Sequence, residues 1–289
     1  MTDSRTPGRW RMVTEVVAVR RPHPRLTGHV SAYVGVDQLM NPPVRRRMVA
    51  RAAPAVVIDF DAAVRRTYGP DGTEQFSPLP SPVSGVLDAP ADVELAGKHF
   101  GVALFLTPPG AFALLGVPMR ELAGVHVPLA CVVGDRPQDR LADRLASAPD
   151  WPARFDLLDR LLPVLLAAGP APAPAVLRAW HTLEETAGRI RISELADGAG
   201  LSRRRLEALF REQIGVSPKT AARILRFHRA FRMITDETRD VGLAVVAARC
   251  GYADQAHLSR EVRALSGDSP ARPSQDVIQP TAVGPSPAG

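Results

Sequence analysis

Cysteine is nearly missing from this chain of 289 residues, with Cys131 and Cys250 the two that occur. No CxxC pair and no cysteine–histidine ligand spacing accompanies them, which excludes a disulfide framework and a cysteine-rich structural zinc site. Lysine is equally scarce: Lys98 and Lys219 stand among 36 basic residues, so the positive charge is carried almost entirely by arginine. Long apolar runs are absent too. The run 16–19 stops at Arg20 and Arg21, the stretch 102–118 is cut by Pro108 and Pro109, and the stretch 155–168 by Asp159 and Arg160. None is long enough for a signal core or a membrane span, so a soluble, reduced, cytoplasmic protein is expected.

What is present is positive charge in one place. The formal net charge is +6, yet residues 203–232 alone hold nine basic residues against Glu207 and Glu212, a net of +7. A GC-rich genome accounts for arginine codons in general but not for this clustering. Arginine suits phosphate and base-edge recognition because its planar fork donates two parallel hydrogen bonds.

The length is a prior for two domains, each able to bury its own core. The stretch 167–175, AAGPAPAPA, alternates proline with alanine and cannot continue a helix, so it reads as a stiff spacer. On this basis the chain divides into an N-terminal sensor or dimerisation domain (11–168), a Pro-Ala linker (169–175), an all-α domain (176–272) and a disordered tail (273–289). Before the spacer, the runs 30–36, 55–60, 83–87 and 102–106 are β-branched or aromatic and bounded by Pro, Gly and Asp, which is strand punctuation. Helices are expected near 138–146 and 151–166, the second with Phe155, Leu158, Leu161, Leu162 and Leu165 on one stripe. The fold class is α+β: a mainly β domain ending in helices, then helices alone. Those are expected near 173–187, 193–198, 203–213, 217–236, 241–250 and 254–265, with Ser193, Ser202, Ser217 and Asp254 as N-caps and Pro218 at a first helical position.

Two segments, 192–218 and 243–270, share one grammar. A short helix meets a glycine, then a capped amphipathic helix, then Gly, a gap and Ser-Pro. That is the layout of a helix-turn-helix, in which Gly200 and Gly251 would relieve the sharp turn. Helical periodicity buries Leu206, Leu209 and Phe210 on the first second-helix and leaves Arg204, Glu207, Ala208 and Arg211 outward; on the second it buries Leu258 and Val262 and leaves Ala256, Ser259, Arg260 and Arg263 outward, with Gln255 and His257 flanking. Arginine can grip a guanine edge and glutamine an adenine edge. The helix between the units sets Ala221, Ile224, Leu225, Phe227, Phe231 and Ile234 against Lys219, Arg223, Arg226, Arg229 and Arg232. Its eighteen-odd residues span about 27 Å, close to the roughly 34 Å between successive major grooves on one DNA face.

These residues resemble the AraC-type transcription regulators. The matching motifs are Leu195-Ala196, Gly200-Leu201-Ser202, Leu206, Leu209-Phe210, Gly215-Val216-Ser217-Pro218, Cys250-Gly251-Tyr252, Asp254-Gln255-x-His257-Leu258-Ser259-Arg260 and Gly267-x-Ser269-Pro270. Val262 and Leu265 depart from the family's usual phenylalanines, and Ala208 stands where a polar reader is common. The resemblance implies base reading by Arg204, Glu207, Ala208, Gln255, Ser259 and Arg260; Arg205, Arg211, Arg223, Arg226, Arg229, His257 and Arg263 are the expected phosphate contacts. A weaker resemblance, through Arg21-Pro22-x-Pro24-x-Leu26, Gly101-Val102-x-Leu104-x-Leu106-Thr107-Pro108 and Ala113-Leu114-Leu115-Gly116-Val117-Pro118, links the N-terminal part to sensor domains of a poorly characterised subgroup. The implied partners are double-stranded DNA and a small-molecule effector of unidentified chemistry, with RNA polymerase and a second copy of the chain as candidates; no cofactor, enzyme activity or membrane contact is expected, and the location is the nucleoid.

Two rival readings are weighed against this one. A cupin-like metal enzyme would need His99, His126, Glu94, His23 and His29 to converge, but no HxH pair with a following Glu and His occurs. A DNA-coating protein would use the basic face without aiming side chains at base edges.

Overall fold

The computed structural model describes residues 16–68, 72–76, 79–236, 241–270 and 277–278. The chain opens with strands β1 (Val16–Arg20), β2 (Val30–Met48), β3 (Ala55–Asp59), β4 (Val64–Tyr68), β5 (Glu74–Phe76), β6 (Pro82–Ser84) and β7 (Ala91–Leu106). Helix α1 (Pro108–Leu115), strand β8 (His126–Pro128) and helices α2 (Ala130–Val133), α3 (Asp135–Ala146) and α4 (Trp151–Ala168) follow. Then come α5 (Pro174–Glu185), α6 (Ile192–Ala199), α7 (Arg203–Gln213), α8 (Pro218–Thr235), α9 (Leu243–Cys250), α10 (Gln255–Ser266) and a two-residue strand β9 (Val277–Ile278). This is the expected α+β order. Most of the tail read as disordered lies outside the described residues; within it, β9 runs parallel to Arg47 and Met48.

The spine of the sheet is the antiparallel pair β2–β7, which runs from Val30 opposite Leu106 to Met48 opposite Ala91. Both strands outrun the expected segments 30–36 and 102–106. The register slips between Met40 and Val44, so Pro42 and Pro43 fall in a bulge, where a proline removes no ladder hydrogen bond. On its other edge β7 pairs with β3 through Ala55–Asp59 and with β4 through Val64–Tyr68. The expected strand 83–87 ends at Ser84, after which Val86 and Leu87 are buried without being strand.

Alternation along the strands divides the two faces. Val30, Tyr33, Val56, Ile58, Val102, Leu104 and Leu106 form one core with Phe112 of α1, Leu145 of α3 and Phe155, Leu158 and Leu162 of α4. The opposite face, with Val34, Val36, Gln38 and Met40 in alternation, lines a cavity. Helix α1 starts at Thr107, whose hydroxyl accepts from the Gly110 N–H at 3.0 Å, with proline in its first turn, a start signal that the break at Pro108–Pro109 conceals. Helix α4 is capped by Asp150, and its stripe is narrower than expected, for Leu165 is 47% exposed. Asp159, which the sequence showed as a mere interruption, is a hub: it accepts from the Tyr33 hydroxyl at 2.9 Å, the His23 N–H at 2.9 Å and the Arg20 guanidinium. That ties β1 and β2 to α4.

Residues 169–173 join α4 to α5 closely. A Cβ on Gly169 would meet the Ala113 carbonyl oxygen at 1.8 Å, and the Ala173 N–H donates to Gln213 Oε1 at 2.8 Å. The helical half also takes core residues from the sheet half. Val86 packs in the cluster of α5, α6, α7 and the first half of α8, while Val49 and Ala50 pack in that of α8, α9 and α10. Ala50 is pinned at both ends, its N–H donating to the Leu265 carbonyl at 2.8 Å and its carbonyl oxygen 2.8 Å from His228 Nε2.

Burial pushes His228 down to about 4, against the opposing pull of the Ala50 hydrogen bond, and nearby Arg232 and Arg51 push the same way. The imidazole is therefore neutral at pH 7 with Nε2–H donating. A group whose folded pKa lies below its unfolded value of about 6.5 contributes stability that is complete above 6.5 and lost as pH falls through the folded pKa. The urea midpoint of the full chain should accordingly fall between pH 6.5 and 4, and His228→Asn should flatten part of that fall; an unchanged slope in the variant would remove His228 from the account.

Candidate nucleic-acid interface

Helices α6 and α9 end in the same way. Gly200 (φ 70, ψ 32) and Gly251 (φ 77, ψ 30) take the left-handed conformation that a side chain would strain. In each the next residue turns back: the Leu201 N–H donates to the Ala196 carbonyl and the Tyr252 N–H to the Ala247 carbonyl, both at 3.0 Å. This paired closure of the last turn satisfies carbonyls that the helix end would otherwise orphan. Three residues or fewer then lead to a new cap. Ser202 accepts from the Arg205 N–H at 3.3 Å to start α7, and Asp254 from the His257 N–H at 2.6 Å to start α10. Ser217 caps α8 through the Thr220 N–H at 3.1 Å. The expected cap at Ser193 is a correction: α6 starts one residue earlier, with Arg191 in the cap position and no side-chain cap bond.

Each helix-turn-helix unit is held by its own part of α8. Leu206, Leu209 and Phe210 of α7 are buried with Ala221, Ala222 and Ile224. Leu258, Val262 and Leu265 of α10 are buried with Phe227, Ala230 and Phe231. Val262 and Leu265, smaller than phenylalanine, are nonetheless wholly buried, with Val49 and Ala50 in the same cluster.

With those stripes inward, the opposite faces are open. On α7, Arg204, Arg205, Glu207, Ala208 and Arg211 are exposed; on α10, Gln255, Arg260 and Arg263 are exposed and Ser259 half-buried. Arg211 leans on Glu207 at 3.0 Å, one turn back, an exposed pair that restrains little. His257 is half-buried, its Nδ1 3.4 Å from the Ala253 N–H and its ring edge-on to Tyr252 at 5.3 Å. The basic half of α8 is less open than its sequence suggests. Lys219 and Arg232 are exposed, but Arg223, Arg226 and Arg229 are half-buried, with Arg226 near Tyr252 and Arg229 beside Cys250 at the end of α9. Arg223 reaches Glu261 of α10 at 2.6 Å. Arg226 Nε is buried without a hydrogen-bond partner, as is the Tyr252 hydroxyl, whose ionisation burial disfavours. Sequence reasoning missed Glu261, since nothing local marks a pairing across 38 residues. It missed Arg178 too, which donates to the Ala199 carbonyl at 3.2 Å at the end of α6.

Of the histidines weighed as metal ligands, His99 and His126 line the sheet's cavity together. Glu94 instead pairs with Arg66, and the His23 N–H turns to Asp159. Among the described residues no three of His, Cys, Asp and Glu gather as a metal site. Nor is any described helix long and apolar enough to cross a membrane.

Residues 195–274 match a family model described as a helix-turn-helix domain, and residues 18–128 one described as a domain of unknown function (DUF6597). No curated protein matches the chain. Among solved structures, the DNA-binding domain of AdpA, described as a global transcriptional factor and solved with a target DNA, is 31% identical, with 34% of this chain and 86% of that one covered and a TM-score of 0.31. A probable AraC family transcriptional regulator from Rhodopseudomonas palustris is 27% identical over 35% of this chain and all of that one, with a TM-score of 0.32. An AraC-type regulator from Chromobacterium violaceum is 24% identical over 34% and 86%, with a TM-score of 0.31. Over residues 195–274 the chain belongs to the AraC-type helix-turn-helix family. The helix-turn-helix match thus covers the pair of units on α8, and residues 18–128 match a domain whose function is unknown.

The Arg223–Glu261 pair joins the connecting helix of this AraC-type domain to its last helix across a partly buried gap. In a double-mutant cycle of Arg223→Ala and Glu261→Ala, the coupling energy for unfolding should be about 0.5–1 kcal/mol. A value near zero would mean that packing alone seats α10.

Proposed function

We propose that the chain is a transcription regulator that reads specific double-stranded DNA with α7 and α10 in successive major grooves. The observation that carries this reading is the repetition, in one chain, of a left-handed glycine, a capped helix and an open polar face on a single 18-residue support. At about 1.5 Å per residue that support spans roughly 27 Å, near the roughly 34 Å from one major groove to the next along one DNA face. Arg204, Glu207 and Ala208 of α7 and Gln255, Ser259 and Arg260 of α10 are the proposed base readers. Ala208 offers a methyl group rather than a hydrogen bond, which suits a thymine.

Arg205, Arg211 and Arg263 are the phosphate contacts best supported, since their side chains are exposed. Arg223, Arg226, Arg229 and His257 belong to the same proposal but must leave partly buried surroundings to reach a phosphate. The division into a sensor or dimerisation domain (11–168), a linker (169–175) and a DNA reader (176–272) is part of this reading, as are control by an effector at the N-terminal domain and a site on the nucleoid. RNA polymerase and a second copy of the chain remain its candidate partners.

Reading and steering separate by measurement on the full chain. After selection of a cognate duplex from random DNA, Arg260→Ala should cost roughly 1–3 kcal/mol on that duplex and relax preference at one position, while a scrambled duplex responds far less. Arg205→Ala should weaken both duplexes alike and lower the salt slope by about one. Equal losses on both duplexes for Arg260→Ala would show that α10 does not read sequence through that residue. Failure of the selection to enrich any sequence would favour the DNA-coating reading.

A further inference from the structure

The second face of the sheet lines a partly open cavity of about 180 Å3. Its walls are mostly apolar, with Val36, Met40, Val57, Leu95 and Phe105 among the lining residues. At one end stand Arg51, Ser84 and His126, all at most 5% exposed. The Arg51 guanidinium donates to the Ser84 hydroxyl at 2.9 Å, while its Nε has no hydrogen-bond partner. No carboxylate among the described residues stands within ion-pair distance of it, and burial, with no acidic neighbour to offset it, lowers its pKa to about 10. Arg65, in the same wall, shows the contrast: Asp59 grips it with two bonds, at 2.5 and 2.8 Å.

His126 adds to the imbalance. Both its ring nitrogens are buried without partners, and burial with Arg51 nearby pushes it down to about 3, so the ring is neutral at pH 7 and can donate one N–H. A buried arginine without a counter-charge is costly even after relaxation. Such a cost persists where something outside the chain relieves it. Its fork and the adjacent N–H suit a planar monoanion, which bidentate guanidinium bonds fit best, and the aliphatic walls suit an apolar body behind it.

We infer that this cavity binds a small organic carboxylate with an apolar tail, its carboxylate on Arg51 and His126 and its tail along β2, β3 and β7. The inference deepens the proposed effector control by naming the ligand class and rests on that reading for its biological meaning, though not for the binding itself. His126 and Ser84 then take the role of neutral donors around one charge.

The test uses the full chain and thermal unfolding, with hexanoate, octanoate and phenylacetate as probes and their primary amides as matched neutral controls. At least one carboxylate should raise the midpoint by about 5 °C at a hundredfold excess over its dissociation constant, and its amide by less than about 1 °C. Arg51→Met, which keeps length and removes the charge, should abolish the carboxylate shift and leave the ligand-free midpoint equal or higher; a purely structural arginine would lower it. The carboxylate–amide comparison needs no variant, so it decides the matter even if Arg51→Met fails to fold. Equal shifts by acid and amide, no shift by any acid, or an undiminished shift in Arg51→Met overturns the inference. DNA is absent throughout, so a chain that shows the shift yet enriches no duplex supports the site and overturns the regulator reading.

Discussion

The apolar face of α8 is the constraint on which the helical half depends. Ala221, Ala222 and Ile224 serve one unit and Phe227, Ala230 and Phe231 the other, so α7 and α10 are not independent parts joined by a tether. Neither short unit can bury its hydrophobic stripe alone. Because both stripes end on one helix, the distance and rotation between α7 and α10 are set by helical geometry, about 1.5 Å and a fixed rotation per residue. A flexible connection would have left the second unit free to search, with the entropy of fixing it charged against binding.

The same packing explains why α8's arginines are not all at the surface. An exposed basic stripe was the simplest reading of Arg223, Arg226, Arg229 and Arg232, but a helix that supports neighbours on two sides has little free surface left. Only Lys219 and Arg232 of that half are open. Arg223 gives its charge to Glu261. Arginine suits such a place because its long stem can be buried while the fork finds a partner.

The helical half was legible almost to the residue, because caps, left-handed glycines and a 3.6-residue period are local signals. Ser202, Ser217, Asp254, Gly200 and Gly251 each do in the structure what their residue type implies. Ser193 misled because Ile192 already satisfies helical geometry and Arg191 takes the cap position without a side-chain bond. The sheet was less legible. The expected strand 30–36 stops short, whereas the long ladder to β7 carries β2 on to Met48 through a bulge at Pro42 and Pro43, and only pairing distant in sequence reveals that. The burial of Arg51 and the hub at Asp159 were invisible for the same reason: a charged residue in a sequence looks solvated until its neighbours from other strands are known.

Those non-local facts also place the two halves in contact. Ala50, one residue before Arg51, bonds through its N–H to the Leu265 carbonyl near the end of α10 and through its carbonyl to His228 of α8. Arg51 itself bonds in both directions with Leu87, at 2.7 and 2.9 Å, and Val86 beside it enters the core of the first unit. The main chain on either side of the cavity's charged end therefore touches both helix-turn-helix units. Packed cores resist continuous deformation, so a shift of this segment must be met by a discrete repacking at Leu265, His228 or the first unit's core. A ligand changes the reader's state only through a difference in its free energy of binding to two such arrangements. In this architecture the segment 49–51 with its partners at 86–87 is a place where that difference would arise, since it joins Arg51 in the wall of the cavity to Val49, Ala50 and Val86 in the cores of the two units.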